Sequence, residues 1–223
     1  MKLSLAGESV ELMAEKALWW PAARTLFIAD LHLGKAASFR ALGQPVPSGT
    51  TQDNLDRLSA LIDRHAAARL VFLGDFLHAA AAQQASVLDP VRQWRARQSG
   101  VHCLLVRGNH DGHAGDPPAD LQIDVVDEPW SLGPFAACHH PQRVEDRLVL
   151  AGHLHPTVTL NGLARDRQRL PAFSLSEGLL VLPAFGAFTG GSKQPLPVGT
   201  SCFAAGGGRV WQLPAPRRPS TNT

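Results

Sequence analysis

The chain has 223 residues, 44% apolar and 18% charged, which is enough apolar material for one sizeable core and excludes a disordered polyelectrolyte. A formal charge of +2 gives no overall basic field, so any nucleic-acid partner would have to be gripped by a local patch. Cys103, Cys138 and Cys202 have no close pairing, which fits a reducing compartment better than a disulfide framework and makes the cytoplasm the expected location.

The first residues break their apolar stretches with Glu8, Glu11 and Glu15, so no signal peptide is expected there. Trp19 and Trp20 are expected to pack an N-terminal strand against a sheet. TLFIAD (25–30) reads as a buried strand. Leu55, Leu58, Leu61 and Ile62 then mark one face of an amphipathic helix between Gly49 and Ala68. RLVFLGD (69–75) is a second strand, followed by a helix predicted to start with Asp89 as N-cap and Pro90 in its first turn and to end near Gly100. VHCLLVRGN (101–109), PFAACHH (134–140) and RLVLAGHLH (147–155) complete five such runs. Short runs rich in Val, Leu and Phe between turn residues fit strands covered on both faces, and the intervening helices predict parallel pairing.

Beyond Pro156 the texture changes to short strands with glycine-rich turns, TVTL (157–160), LPAFSL (170–175), GLLVLP (178–183), SCFAA (201–205) and RVWQL (209–213), which predict an antiparallel meander. The uncharged stretch from Gly178 to Ser192 is too short and too rich in Gly and Pro to span a bilayer, so no membrane partner is expected. PAPRRPSTNT (214–223) reads as a disordered tail, leaving 1–213 as one domain.

Each of the five runs ends in a polar signature: Asp30 and His32; Gly74 and Asp75; Gly108, Asn109, His110 and Asp111; His139 and His140; Gly152, His153 and His155. Carboxyl ends of parallel strands share one edge, where ligands collect, so the signatures are expected to meet. Carboxylates and imidazoles without paired thiolates suit Mn, Fe or Zn. Asp75 is the natural bridge between two divalent ions about 3.5–4 Å apart, with Asn109 as a neutral oxygen ligand. Two such ions lower the pKa of a bound water and neutralise phosphoryl oxygens, the two needs of phosphoester hydrolysis. His110, beside Asn109, is the expected proton donor to the leaving group.

In the order D-x-H, G-D, G-N-H-D, H, G-H-x-H, the chain resembles the calcineurin-like metallophosphoesterases, over Asp30 to His155. The resemblance implies a four-layer α/β/β/α sandwich. It also implies one metal on Asp30, His32, Asp75 and His155, a second on Asp75, Asn109, His139 and His153, and His110 as the catalytic histidine. IADLHLGKAASFRALGQPVPSG, GDFLHA, CHHP and LPAFGAFTGG are similar to the PdeM-type, ligase-associated DNA damage response phosphoesterases. That likeness implies an endonuclease acting on DNA beside a ligase, a helicase and an exonuclease-like partner.

Several residues carry a bland reading beside a sharp one. Neighbouring strand residues point to opposite faces, so of His139 and His140 one is expected to bind, and His139 directly follows the apolar run. His78 departs from the Asp or Asn of many relatives and is a candidate for orienting a ligand or phosphate. Asp111 is expected to shape its loop or to bond His110. His65 and His102 read as structural or solvated, and His113 as a neighbour of the site. Of the basic residues, Lys35 and Arg40 stand as substrate candidates, whereas Arg57, Arg64, Arg165, Arg167 and Arg169 read mostly as solvated surface. Phe185 reads as a core or loop-anchoring residue, and Gly190 and Gly191 as points of close backbone approach. Manganese-dependent hydrolysis of a phosphodiester, in DNA by resemblance, is the leading function. A small nucleotide-like phosphoester and a non-catalytic, metal-stabilised scaffold are the alternatives.

Overall fold

The computed structural model describes residues 1–41, 43–46, 49–162, 166–192 and 199–214. The predicted tail beyond Pro214 and Arg165 lie outside the described residues. An antiparallel meander of β1 (Lys2–Leu5), β2 (Glu8–Leu12) and β3 (Leu18–Trp20) leads into β4 (Thr25–Ala29). Then β5 (Arg69–Leu73), β6 (His102–Val106) and β7 (Ile123–Val126) join in parallel, in the order β1-β2-β3-β4-β5-β6-β7. The helices are α1 (Lys35–Ala41), α2 (Thr50–His65), α3 (Ala85–Arg97) and α4 (Asn109–Ala114).

A second sheet holds β8 (Trp130–Leu132), β9 (Phe135–Ala137), β10 (Leu148–Ala151), β11 (Thr157–Asn161), β12 (Arg167–Ser176), β13 (Leu179–Val181), β14 (Ser201–Gly206) and β15 (Arg209–Gln212). Its order is β15-β14-β12-β13-β10-β9-β8, with β11 paired to β12. The predicted meander is antiparallel except where β13 runs parallel to β10.

Strand alternation divides the core. Leu26, Ile28, Leu70, Phe72, Cys103 and Leu105 face the helices and meet Leu55, Leu58, Leu61, Val91 and Trp94. Phe27, Ala29, Val71, Leu73, Leu104 and Val106 face the second sheet and meet Phe135, Leu150, Phe173, Leu180 and Phe203. Both faces of the first sheet are covered at β4, β5 and β6, which explains why these strands are apolar without alternation. Trp19 and Trp20 fall on opposite faces of β3, one in each core. Among the described residues, all four helices pack on the first sheet; the outer face of the second carries a small cluster of Ala136, Cys138, Val149 and Ala151 with Val144 and Leu179. The two-sheet α/β sandwich is as expected. No described helix is long and apolar enough to cross a membrane, and the three cysteines are free and buried.

One helix start differs from the prediction. Helix α3 begins at Ala85, so Pro90 lies inside it and Asp89 pairs with Arg92 (2.9 Å) instead of capping. Val87 and Leu88, one turn before Val91, are buried, and their packing outweighs the lost bond at Pro90. At the end of this face, Trp94 is fully buried between helix and sheet. Trp94→Ala is expected to cost about 3–5 kcal/mol, read as a lower midpoint in urea unfolding with little change of slope.

Candidate metal centre

In-register pairing sets the edge of the first sheet: Ala29 pairs with Leu73, and Leu73 with Val106, so the chain leaves all three strands at one level. Asp30, Asp75 and Asn109 follow. Contrary to the single edge predicted, β9 and β10 belong to the other sheet and bring His139 and His153 from across the sandwich. The sheets are tied at this end, where Ala184, just past β13, forms a parallel bridge with Ala29 and Phe185 N–H donates to Ala29 O (2.7 Å).

This convergence leaves no room for side chains at the motif glycines. A Cβ on Gly74 would lie 2.0 Å from His139 Nδ1, and one on Gly152 would lie 2.8 Å from Asp30 Oδ2 and Ala29 Cβ. The backbone is also bent sharply: of eleven non-glycine residues at positive φ among those described, Asp30, His32, Asp75, His153 and His155 are five. Such conformations cost on the order of 1 kcal/mol each and cluster where a site over-determines the chain.

The predicted ligands form one connected group. Asp75 Oδ2 lies 3.5 Å from His32 Nε2, and its Oδ1 lies 3.4 Å from His139 Nε2. Asp30 Oδ1 lies 3.4 Å from His155 Nε2, and His32 Nε2 lies 3.4 Å from the same nitrogen. Both carboxylates are buried (0% and 2% exposed), and among the described residues neither has an Arg or Lys ion pair. Their donors are backbone: His153 N–H to both Asp30 oxygens (3.1 and 3.0 Å) and His110 N–H to Asp75 Oδ1 (3.0 Å).

Two buried charges so placed demand a cation. The demand is sharpest at His139. With Nδ1–H donating to Leu73 O (3.1 Å), Nε2 presents a lone pair to Asn109 Oδ1 at 2.9 Å, Asp75 Oδ1 at 3.4 Å and His153 Nδ1 at 3.1 Å. Acceptors converging on a lone pair are what a divalent ion satisfies. Burial, then the Lys35 charge, lower His32 to about 2 and keep it neutral, as a ligand must be.

His139 and His140 lie beyond the end of β9, so the alternation that would point them to opposite faces does not apply. Their rings pack together (centroids 4.7 Å apart), and both lie against His153 (4.9 and 4.5 Å). Burial still separates them. His139 is sealed against Asp75 and Asn109, whereas His140 is half exposed and gives its Nδ1 to Glu128 Oε1 (2.6 Å). Glu128 was not legible in the sequence: its Oε2 accepts both the His139 and the His140 backbone N–H (2.7 and 2.8 Å). Nothing in the spacing links an acid in β7–β8 to this turn. Burial opposes its ionisation, yet the His140 side chain and these two amides hold its carboxyl below the usual range.

His110 Nδ1–H donates to His78 O (2.7 Å), which leaves Nε2 available to the site. The His78 ring stacks on it at 5.0 Å, and burial, then Lys35, lower His78 to about 4. Asp111 shapes its loop, accepting Gly108 N–H and Leu77 N–H (3.0 Å each), and burial raises its pKa. It does not bond His110. His113 donates to Asn109 O (2.7 Å) from the surface of α4. His65 packs on Trp19, and His102 pairs with Asp124 at the surface, both outside the site.

The 183–191 loop flanks the centre. Arg57, read from sequence as surface, instead lies over the Phe185 ring (3.9 Å), bonds Phe185 O, and shares Asn54 Oδ1 with Ala187 N–H. Lys35 Nζ donates to Thr189 O (3.1 Å), close enough to Asp75 and Asp30 to feel both charges. Gly191 does approach closely, but toward Thr157, 2.1 Å from where its Cβ would sit, and not toward the carboxylates.

The model of the calcineurin-like phosphoesterase family matches residues 23–164, a span that takes in every predicted ligand. The crystal structure of nuclease MPE from Pseudomonas putida matches at 46% identity and a TM-score of 0.84, over 96% of this chain and 99% of that one. Yfce, a phosphoesterase from E. coli, matches at 15% identity and a TM-score of 0.41, over 85% of this chain and 97% of that one. No curated protein matches. The chain therefore belongs to the calcineurin-like phosphoesterase family and is a metal-dependent phosphoesterase.

Proposed function

We propose that this chain is a two-metal nuclease that hydrolyses phosphodiester bonds in DNA, in the repair setting its sequence resemblance implies. The observation that carries the substrate class is the correspondence, across nearly the whole of both chains, with a nuclease. Asp30, His32, Asp75 and His155 would hold one ion, and Asp75, Asn109, His139 and His153 the other. Supporting this division, Asp75 turns one oxygen toward His32 and the other toward His139. Imidazole, carboxylate and amide donors suit manganese, with iron or zinc also accommodated. When bound, such ions lower the pKa of a water and offset phosphoryl charge.

The chain's own groups complete the assignment. His110, its Nδ1 engaged by His78 O, would present Nε2–H to the leaving oxygen once protonated. His78, stacked on that ring, would fix its plane. Lys35 adds a cation beside the two carboxylates.

Manganese-loaded protein is expected to cleave a single-stranded or duplex oligonucleotide and to lose that activity in EDTA. Cleavage of a small chromogenic diester alone would instead favour the small-ester reading, and no cleavage of any ester the scaffold. Elemental analysis separates the adjacent histidines: His139→Ala should retain about one manganese per chain, and His140→Ala two. His110→Ala should keep both ions while kcat on DNA falls on the order of 100-fold or more. The deficit should shrink for a p-nitrophenolate leaving group, which needs no proton.

A further inference from the structure

Beside the metal centre, on the side of His155, lies a cavity of about 270 Å³ between the start of β11, β12 and the 183–191 loop. Three proline rings, Pro156, Pro171 and Pro183, supply apolar walls, and Lys16 and Arg169 are the only Lys or Arg among the described lining residues. No Asp or Glu lines it among the described residues.

Lys16 ties the β2–β3 turn to the 183–191 loop through one hydrogen bond, which needs an N–H donor but not a charge. It occupies a turn between β2 and β3 at φ 70°, a conformation that suits glycine, and its Nζ reaches a single carbonyl, Gly186 O at 3.2 Å. Among the described residues it has no carboxylate partner, and its charged neighbour is another cation, Arg57. Burial and then Arg57 lower its pKa to about 7, so its charge is poorly compensated until an anion arrives. Arg169, across the cavity, is held by Thr157 Oγ1 (2.9 Å) and by Gly191 O and Ser192 O, which fixes a guanidinium on an exposed wall.

We propose that this cavity seats the nucleotide next to the scissile bond, its phosphate gripped by Lys16 and Arg169 and its sugar or base laid against the prolines. The proposal rests on the nuclease reading above. It gives the polynucleotide a second point of attachment that a small diester does not use, because the cavity shares only the His155 wall with the metal centre.

Lys16→Gln and Arg169→Gln keep an N–H donor for Gly186 and Thr157 while removing the charge. Each variant is compared with wild type, both loaded with manganese, on a single-stranded oligonucleotide and on bis(p-nitrophenyl) phosphate, and oligonucleotide binding is followed by fluorescence anisotropy. The oligonucleotide KM and Kd should rise about tenfold more than the small-diester KM. The plot of log(kcat/KM) against log salt should become shallower by about 0.7 for each phosphate that the variant no longer neutralises. Lys16→Arg should recover most of the effect. Equal losses on both substrates with an unchanged salt slope, or no change on the oligonucleotide, would overturn the cavity assignment while leaving the nuclease reading intact. Wild-type protein that neither binds nor cuts the oligonucleotide would overturn both.

Discussion

Asp30 and Asp75 are sealed from solvent with no Arg or Lys ion pair among the described residues, and the architecture around them answers to that fact. A buried, unpaired carboxylate costs several kcal/mol, and two of them side by side cost more. The fold therefore surrounds them with lone pairs from His32, Asn109, His139, His153 and His155, a donor set that only cations complete. Backbone amides of His110 and His153 orient the carboxylates but do not neutralise them. Folding and metal binding are thus coupled at this edge.

Bringing five strand ends to one point has geometric consequences. The candidate ligands come from two sheets, so the sheets must approach closely where these side chains emerge, and Ala29, Gly74 and Gly152 keep that end thin. The chain must also turn away from each strand at once, which accounts for the left-handed conformations at Asp30, His32, Asp75, His153 and His155. The strain is tolerated because rigid β-structure lies immediately behind, with apolar packing on both faces of the first sheet. Away from this edge the loops differ in character. The 183–191 segment is tied to α1, α2 and the β2–β3 turn by Lys35, Arg57, Asn54 and Lys16, forming a wall beside the candidate metal centre. Metal chemistry and substrate selection can therefore be carried by separate parts of the chain.

Much of this was legible in the sequence, and for definite reasons. Buried strands are apolar runs because both faces are covered, and Leu55, Leu58, Leu61 and Ile62 recur because one face of α2 is buried. What misled was local reasoning applied where packing decides. Pro90 looked like a helix start, but buried Val87 and Leu88 carry α3 a turn earlier. Arg57 looked like solvated surface, but it lies over Phe185. His139 and His140 look like consecutive strand residues, but β9 ends at Ala137 and strand alternation does not reach them.

The sequence by itself determined the donor chemistry, since Asp, His and Asn placed directly after apolar runs must emerge at strand ends whatever the topology. It also determined the family, through the order of the signatures. Only the tertiary structure decided that two sheets share the site, that Glu128 holds the His139–His140 turn, and that Lys16 meets the 183–191 loop. The reason is physical: strand and helix periodicity reports which side of a chain is buried, whereas contacts such as Lys16 to Gly186, 170 residues apart, arise only when separate elements pack.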